Sequence, residues 1–339
     1  MVERNDFAEI IASLKTMGLV AAGEIPALTP LVGGVSADIV VAQTKRGLVC
    51  VKRTLPELKV VQEWTAPQSR GNAEKDWIRL VASRLPRAVP EIIAEDPENF
   101  TFAMRYLDPE IYKNWKTLLR DGNADTAIAA QIGSLLGKIH DWTVDDPVIA
   151  AAFANDENFE ALRLDPYLEA TARAQPDVAD ILRGLIARTA TTKRALVHGD
   201  FSPKNILIGP DGPVILDAEC AWYGDPAFDV SFCLNHLLLK SAWMPAHAAL
   251  YQSCAEAFWF AYKAEFHNFD IAALEAHVVT LLPGLMLARI DGKSPVEYLV
   301  DPAVIGRVRA FAKRKLVEPE STVPGLIHAW SKEFINDND

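Results

Sequence analysis

Cysteine is scarce and unpatterned: Cys50, Cys220, Cys233 and Cys254 are the only four in 339 residues, with no C-x-x-C pair and no histidine at zinc-binding spacing. A disulfide scaffold and a structural zinc site are thereby disfavoured, and four reduced, mostly buried thiols are expected. A basic excess is missing too. Lys and Arg number 34 against 45 Asp and Glu, a net charge of −11, which argues against a nucleic-acid partner or polybasic attachment to a membrane. The opening MVERNDFAEIIASLKTMG has neither the basic nor the continuous apolar region of a signal peptide. The longest apolar stretch, His277 to Ile290, is interrupted by Thr280, Pro283 and Gly284 and falls short of the roughly 20 residues a bilayer requires. No repeat, low-complexity tract or long charge run is present. These absences together predict a soluble cytoplasmic protein.

What is there is an apolar half of the chain, enough to offset the entropy of ordering, and a length suited to two lobes. Residues 6–17 read as a short amphipathic helix. Thr29–Val35 and Ile39–Val41 flank the tetrad Gly33-Gly34-Val35-Ser36, and the turn Thr44-Lys45-Arg46-Gly47 leads into the apolar run Leu48–Val51; two β-rich runs joined by a glycine-bearing turn predict a hairpin. Residues 72–85 carry helical periodicity, with Trp77, Leu80, Val81 and Leu85 on one face and Pro86 and Pro90 as the stop. Glu91–Ala94 and Phe100–Tyr106 are the next strand candidates. From about Leu107 the periodicity is mainly helical, over 125–141, 158–172, 176–190, 227–240, 246–266, 271–289 and 303–314. The predicted division is a β-rich lobe over residues 1–106 and a helical lobe over 107–339.

One β-rich island, Ala195–Ala218, interrupts the helical part and carries the chemistry. Leu196-Val197, Ile206-Leu207-Ile208 and Val214-Ile215-Leu216 are apolar arms, with Gly209-Pro210-Asp211-Gly212 as the turn. Such a hairpin is expected to bring Asp217 back beside Asp200 and Asn205. Two carboxylates and a carboxamide suit Mg²⁺, which binds through few protein oxygens plus substrate phosphates. The remaining carboxylate can orient a hydroxyl and accept its proton. Any one of these residues alone would read as a turn cap; His198, Asp200, Asn205 and Asp217 in this order between apolar arms do not. A calcium loop is excluded by the missing alternating acids and closing Glu.

The island resembles the aminoglycoside phosphotransferase and choline-kinase-like small-molecule kinases, relatives of the protein kinases. Their H-G-D-x-x-x-x-N loop stands here as His198-Gly199-Asp200-Phe201-Ser202-Pro203-Lys204-Asn205, their D-x-[DE] metal segment as Asp217-Ala218-Glu219, and G-D-P-x-x-D as Gly224 to Asp229. The resemblance implies an α+β, protein-kinase-like bilobal fold, with a small β-rich N-lobe holding one main helix and a larger, mostly helical C-lobe. It implies ATP and Mg²⁺ as cofactors, Asp200 as catalytic base, and Asn205 and Asp217 as metal ligands. His198 and Asp229 are expected to brace the loop; Glu219 is expected at the second metal or the phosphates, and Lys204 either at the transferring phosphate or in solvent. Gly199 replaces the arginine of the protein-kinase H-R-D loop. Together with the absence of an activation segment before Asp225-Pro226, this weighs against a protein kinase. A nucleotide-binding module without turnover is disfavoured because Lys52, Asp200, Asn205 and Asp217 are all present.

In the N-lobe the resemblance assigns the backbone of Gly33, Gly34 and Ser36 to the ATP phosphates. Lys52, at the end of its apolar run, takes the place of the strand lysine. Its ion-pair partner is expected to be Glu74, with Glu63 as runner-up and Asp76 on the far side of the helix. Phe102 to Leu107 reads as the strand and hinge, with the Arg105 carbonyl and the Leu107 amide carried over as adenine contacts. The acceptor, a small-molecule hydroxyl, is expected among the C-terminal helices. Arg289, Asp291 and Lys293 bunch there ahead of Ser294-Pro295, either as a substrate clamp or as a charged helix end. Trp222 and Tyr223 border that pocket or belong to the core. Whether the acceptor is an aminoglycoside, an amino alcohol or sugar-like is left open, as is the oligomeric state.

Overall fold

The computed structural model describes residues 7–31, 36–55 and 70–334, which fall into two compact units. The smaller comprises the chain through Tyr112 together with Gly209–Glu219; the larger comprises Lys113–Ile208 and the chain from Cys220 onward. A division linear in sequence cannot assign the Gly209–Glu219 segment, because only folding returns it to the first hundred residues.

In the smaller unit, helix α1 (Ala8–Thr16) precedes β1 (Leu28–Pro30), β2 (Ala37–Thr44), β3 (Gly47–Thr54), helix α2 (Arg70–Arg84), β4 (Ile92–Asp96) and β5 (Thr101–Arg105). The strands form one antiparallel sheet in the order β1-β2-β3-β5-β4. The predicted hairpin is β2–β3, closed at Thr44 and Gly47. Side chains alternate across a strand, so Val49 and Val51 of β3 pack with Val40, Ala42 and Ala103 against Ile10 and Leu14 of α1. Cys50 and Lys52 therefore point to the opposite face. Helix α2 buries Ala73, Glu74, Trp77, Ile78 and Val81, a stripe at helical spacing that includes the carboxylate of Glu74. Leu80 and Leu85 lie at its margin.

The larger unit continues with β6 (Lys113–Asn114), α3 (Trp115–Arg120), α4 (Thr126–Thr143), α5 (Pro147–Ala152) and α6 (Asp156–Phe159). Next come a π-helical segment over Glu160–Glu169, α7 (Ala170–Ala174), α8 (Ala179–Thr191), β7 (Ala195–Val197) and β8 (Ile206–Gly209). After β9 (Gly212–Ile215), which lies in the smaller unit, follow β10 (Trp222–Gly224), α9 (Ala227–Trp243), α10 (Ala248–Glu265), α11 (Ile271–Asp291), α12 (Pro302–Val317) and α13 (Val323–Phe334). Three elements depart from the sequence reading. The stretch 158–172 is not one α-helix: Pro166 has no N–H and crowds the carbonyl four residues back, and the backbone widens to a π-helix. The displaced Leu162 carbonyl accepts from Arg163 Nη1 at 2.7 Å. The helix expected over 271–289 forms as α11, but it runs for 21 residues through Thr280, Pro283 and Gly284 and, against the reading of its apolar run as too short, is long and apolar enough to cross a membrane by length and composition. Most of it is instead buried within the protein. Finally, β10 pairs antiparallel with β7, placing Trp222 and Tyr223 in the core, where the Tyr223 hydroxyl joins the Thr143 and Arg194 carbonyls.

All four cysteines are free and buried. Helices α4 and α10 approach backbone to backbone through two glycines one turn apart: a Cβ at Gly133 would stand 2.2 Å from the Phe258 carbonyl oxygen, and one at Gly137 2.6 Å from that of Tyr262. Gly133→Ala is expected to force the helices apart and cost about 1–3 kcal/mol, against the usual gain for Gly→Ala inside a helix. A chemical denaturation midpoint at or above wild type would contradict this close approach.

Candidate active site

Lys52 carries the electrostatics of the smaller unit. Its side chain is buried, with Nζ 2.6 Å from Glu74 Oε2 and 2.5 Å from Asp217 Oδ1. Burial alone would lower its pKa, but the carboxylates of Asp217, Glu74 and Glu219 outweigh it and hold the ammonium above the ordinary lysine range. Burial in turn raises the Glu74 carboxyl, against the pull of Lys52. Asp76, two residues on, faces solvent. Asp217 adopts φ of +66°, a left-handed conformation that costs a non-glycine residue free energy and concentrates at functional sites.

Behind this pair lies a group the sequence reading missed. Arg70, fully buried at the start of α2, donates to the carbonyls of Ser36 (3.0 Å) and Leu55 (2.5 Å), and its Nε stands 3.4 Å from Glu219 Oε2. Glu219, raised by burial and by Asp217, also bonds the Ser36 hydroxyl. Three carboxylates thus share two described cations, which suits a further positive charge. Asp217 supplies a hard oxygen of the kind Mg²⁺ takes. Gly33, Gly34 and Glu63 lie outside the described residues. Arg105 ends β5 with its N–H donated to the Glu91 carbonyl, 2.9 Å away, and the N–H of Leu107 has no protein partner among the described residues.

In the larger unit the H-G-D loop is pinned by main-chain hydrogen bonds. Asp229, on the first turn of α9, accepts the His198 N–H on Oδ2 (2.6 Å) and the Gly199 N–H on Oδ1 (2.8 Å). His198 Nδ1 accepts the Asp200 N–H at 3.1 Å. Asp225 caps α9 by accepting the Ala227 N–H and meets His277 Nδ1 at 2.5 Å. Asn205 Nδ2 donates to the Asp200 carbonyl at 2.9 Å; this fixes the amide and leaves Oδ1, the atom a metal would take, without a donor among the described residues. No three acidic, His or Cys side chains form a metal cage among the described residues.

Asp200 carries two cations on one oxygen, Arg163 Nη2 at 3.1 Å and Lys204 Nζ at 2.9 Å from Oδ2. Arg163 also donates from Nε to the Gly199 carbonyl at 2.5 Å, so a side chain of the π-helix holds both the loop and its carboxylate. No local signal singles out Arg163; its role depends on the widened backbone.

Asp200 lines a cavity of about 200 Å³ with Lys204, Tyr167, His236, Lys240, Arg289 and Tyr298 among its walls. Arg289 is nine-tenths buried, bound to the Ser294 hydroxyl at 2.8 Å and to its carbonyl, with Tyr167 Oη at 3.4 Å. Asp291 turns away: Arg309 of α12 grips it at 2.7 and 2.8 Å and Gln175 at 2.8 Å. Lys293 pairs with Asp165 on the surface. His236 and Lys240 escaped the sequence reading although a signal existed. Asp229, Phe232, His236 and Lys240 recur at helical spacing on one face of an otherwise apolar helix whose residues are buried from Ala227 to Ala242.

A central-strand lysine paired to a helix glutamate, and a braced H-G-D loop, define a kinase-like class of protein. The chain belongs to the phosphotransferase enzyme family (APH), whose model matches residues 27–276. Among curated relatives, the methylthioribose kinase of Pectobacterium atrosepticum is 25% identical over 233 residues, 61% of this chain and 58% of the relative. That of Geobacillus kaustophilus is 27% identical over 229 residues, 60% of this chain and 57% of the relative. The matched stretch thus spans less than two thirds of either relative. Of solved structures, an amicoumacin kinase in complex with AMP-PNP, Ca²⁺ and Ami is 16% identical with a TM-score of 0.57, covering 96% of this chain and 98% of the other. An aminoglycoside phosphotransferase from Alicyclobacillus acidocaldarius is 14% identical with a TM-score of 0.51, covering 94% of each. At these identities the likeness is one of fold.

Proposed function

We propose that the protein is an ATP- and Mg²⁺-dependent phosphotransferase that moves the γ-phosphate to a hydroxyl of a small, sugar-like molecule. The observation that carries this reading is Asp200: an aspartate paired with Arg163 and Lys204 opens onto a cavity large enough for a small acceptor. The methylthioribose kinases among the relatives support a sugar-like acceptor.

Each residue has a physical task. Asp200 orients the acceptor hydroxyl and accepts its proton as the new bond forms. Lys52, held in place by Glu74, neutralises phosphate oxygens, and Arg70 anchors the Ser36 carbonyl. Asp217 and Asn205 each offer an oxygen of the kind Mg²⁺ takes, and the ion when bound would neutralise the phosphates and so stabilise the charge that develops during transfer. The Arg105 carbonyl and the Leu107 amide are assigned to the adenine edge. Lys204 pairs with Asp200 at 2.9 Å.

Two measurements test this. Mg²⁺-dependent ATP consumption, scanned over thio- and amino-sugars, amino alcohols and aminoglycosides, is expected to respond to a sugar-like compound; turnover confined to aminoglycosides would overturn the sugar-like reading. In Asp217→Asn, calorimetry with AMP-PNP is expected to lose the tightening that Mg²⁺ provides, about ten- to a hundredfold, since the remaining neutral oxygen is a poor ligand for a hard cation. An unchanged Mg²⁺ effect would move the metal elsewhere.

A further inference from the structure

The acceptor cavity contains more positive charge than its own acids compensate. Of its carboxylates, Asp200 already bears Arg163 and Lys204, and Glu297 is paired with Lys116. That leaves Lys240 and Arg289. Lys240 is almost fully buried on α9, makes no salt bridge or side-chain hydrogen bond among the described residues, feels Glu297 only from beyond salt-bridge distance, and rests 4.3 Å above the Tyr298 ring. Arg289 meets only hydroxyls and a carbonyl, and its buried Nε has no partner; the buried hydroxyl of Tyr298 has none either. Buried charges and donors are ordinarily paired, because desolvating them alone is costly. A cavity wall with two cations that have no carboxylate at salt-bridge distance among the described residues, and with orphaned donors, is complementary to an anion.

Resting on the phosphotransferase reading above, we infer that the acceptor bears an anionic group, a carboxylate or a phosphate, that seats on Lys240, Arg289 and Tyr298 while its hydroxyl faces Asp200. The cations repel one another in the absence of such a group. Burial first, then Lys116 and Arg289, against a partial pull from Glu297, bring the Lys240 pKa down to about 8, and burial with Arg289, Lys240, Lys204 and Lys116 depresses His236 well below its usual value. An anion offsets the repulsive part of both effects. A cationic acceptor such as an aminoglycoside or choline would meet that repulsion instead. The volume of about 200 Å³ fits a hydroxy acid or a phosphorylated polyol better than a multi-ring antibiotic.

Matched polyols that differ only at one end provide the test: sorbitol, gluconate, sorbitol 6-phosphate and glucamine, with glycerol, glycerate, glycerol 3-phosphate and 3-amino-1,2-propanediol as the short set. Each is titrated by calorimetry into the full chain saturated with AMP-PNP and Mg²⁺, so that the nucleotide site is occupied. Expected is at least tenfold tighter binding of a carboxylate- or phosphate-ended member than of its neutral counterpart, and no gain for the amines. The two anionic arms distinguish carboxylate from phosphate. In Lys240→Met, which keeps the volume, the anion preference is expected to fall at least tenfold; Tyr298→Phe, milder still, is expected to weaken it several-fold, and AMP-PNP affinity serves as the folding control. Equal or tighter binding of neutral or amine-ended polyols, no binding by any anion, or an anion preference that survives Lys240→Met would overturn the inference. Anion binding without ATP-dependent transfer would overturn the phosphotransferase reading and leave this inference standing.

Discussion

Asp200→Asn is expected to reduce phosphate transfer about a thousandfold while AMP-PNP affinity and thermal stability stay near wild type. The size follows from removing a positioned base, an effect typically of 10²- to 10⁴-fold. The selectivity follows from how the loop is built. Its amides rest on Asp229 and on His198, its Asp200 carbonyl on Asn205, and Arg163 keeps the Gly199 and Leu162 carbonyls when the carboxylate becomes an amide. An isosteric amide therefore keeps the geometry and loses the proton acceptor. Steady-state ATP consumption with a responding acceptor measures it. Turnover within tenfold of wild type would remove Asp200 from the role of base, whereas a collapse in melting temperature would show that the residue acts on the fold.

Gly199→Ala carries the largest expected cost in stability, about 2–4 kcal/mol. Gly199 sits at φ of +76°, where an L side chain is strained. A Cβ there would lie 2.4 Å from the Cys220 carbonyl oxygen and 2.8 Å from the Cys220 Cβ. Neither is the end of a flexible side chain, so the backbone itself must shift, with an overpacking cost added to the conformational one. The shift falls on the residue next to Asp200, and activity should drop beyond what lost stability explains. Gly184→Ala and Gly306→Ala, in helices with open space around the added carbon, are the controls and should be neutral to slightly stabilising. Calorimetric unfolding of the three variants checks this; a Gly199→Ala midpoint level with the controls would contradict the close packing of the loop.

Several features were legible in the residues because their signal is local. The hairpin β2–β3 follows from alternation and a glycine turn, and α2 follows from its apolar spacing, which also places Glu74 inside and Asp76 outside. The H-G-D-x-x-x-x-N and G-D-P-x-x-D segments are contiguous, so their chemistry can be read in order. Other features depend on distant parts of the chain meeting. Arg163 reaches Asp200 across 37 positions from a helix whose widening at Pro166 has no simple periodic signature. Asp291 looked like a substrate ligand within its own cluster, yet Arg309, 18 residues later, claims it. His236 and Lys240 were hidden by the apolar periodicity of α9, which signals burial and says nothing about what is buried beside it.

Sequence alone thus determined the kinase-like chemistry: the order of the loop, the strand lysine, its helix glutamate, and four cysteines with no pattern to pair them. These are matters of residue type and near-neighbour spacing, which backbone geometry converts directly into position. Only the tertiary structure decided the charge of the cavity beside Asp200. The chain's −11 total sums over the whole surface, whereas a buried cavity is governed by which few charges lack a partner within it. Among the described residues Lys240 and Arg289 have no carboxylate at salt-bridge distance because α9 and α11 fold their cations inward, away from the acids that dominate the composition.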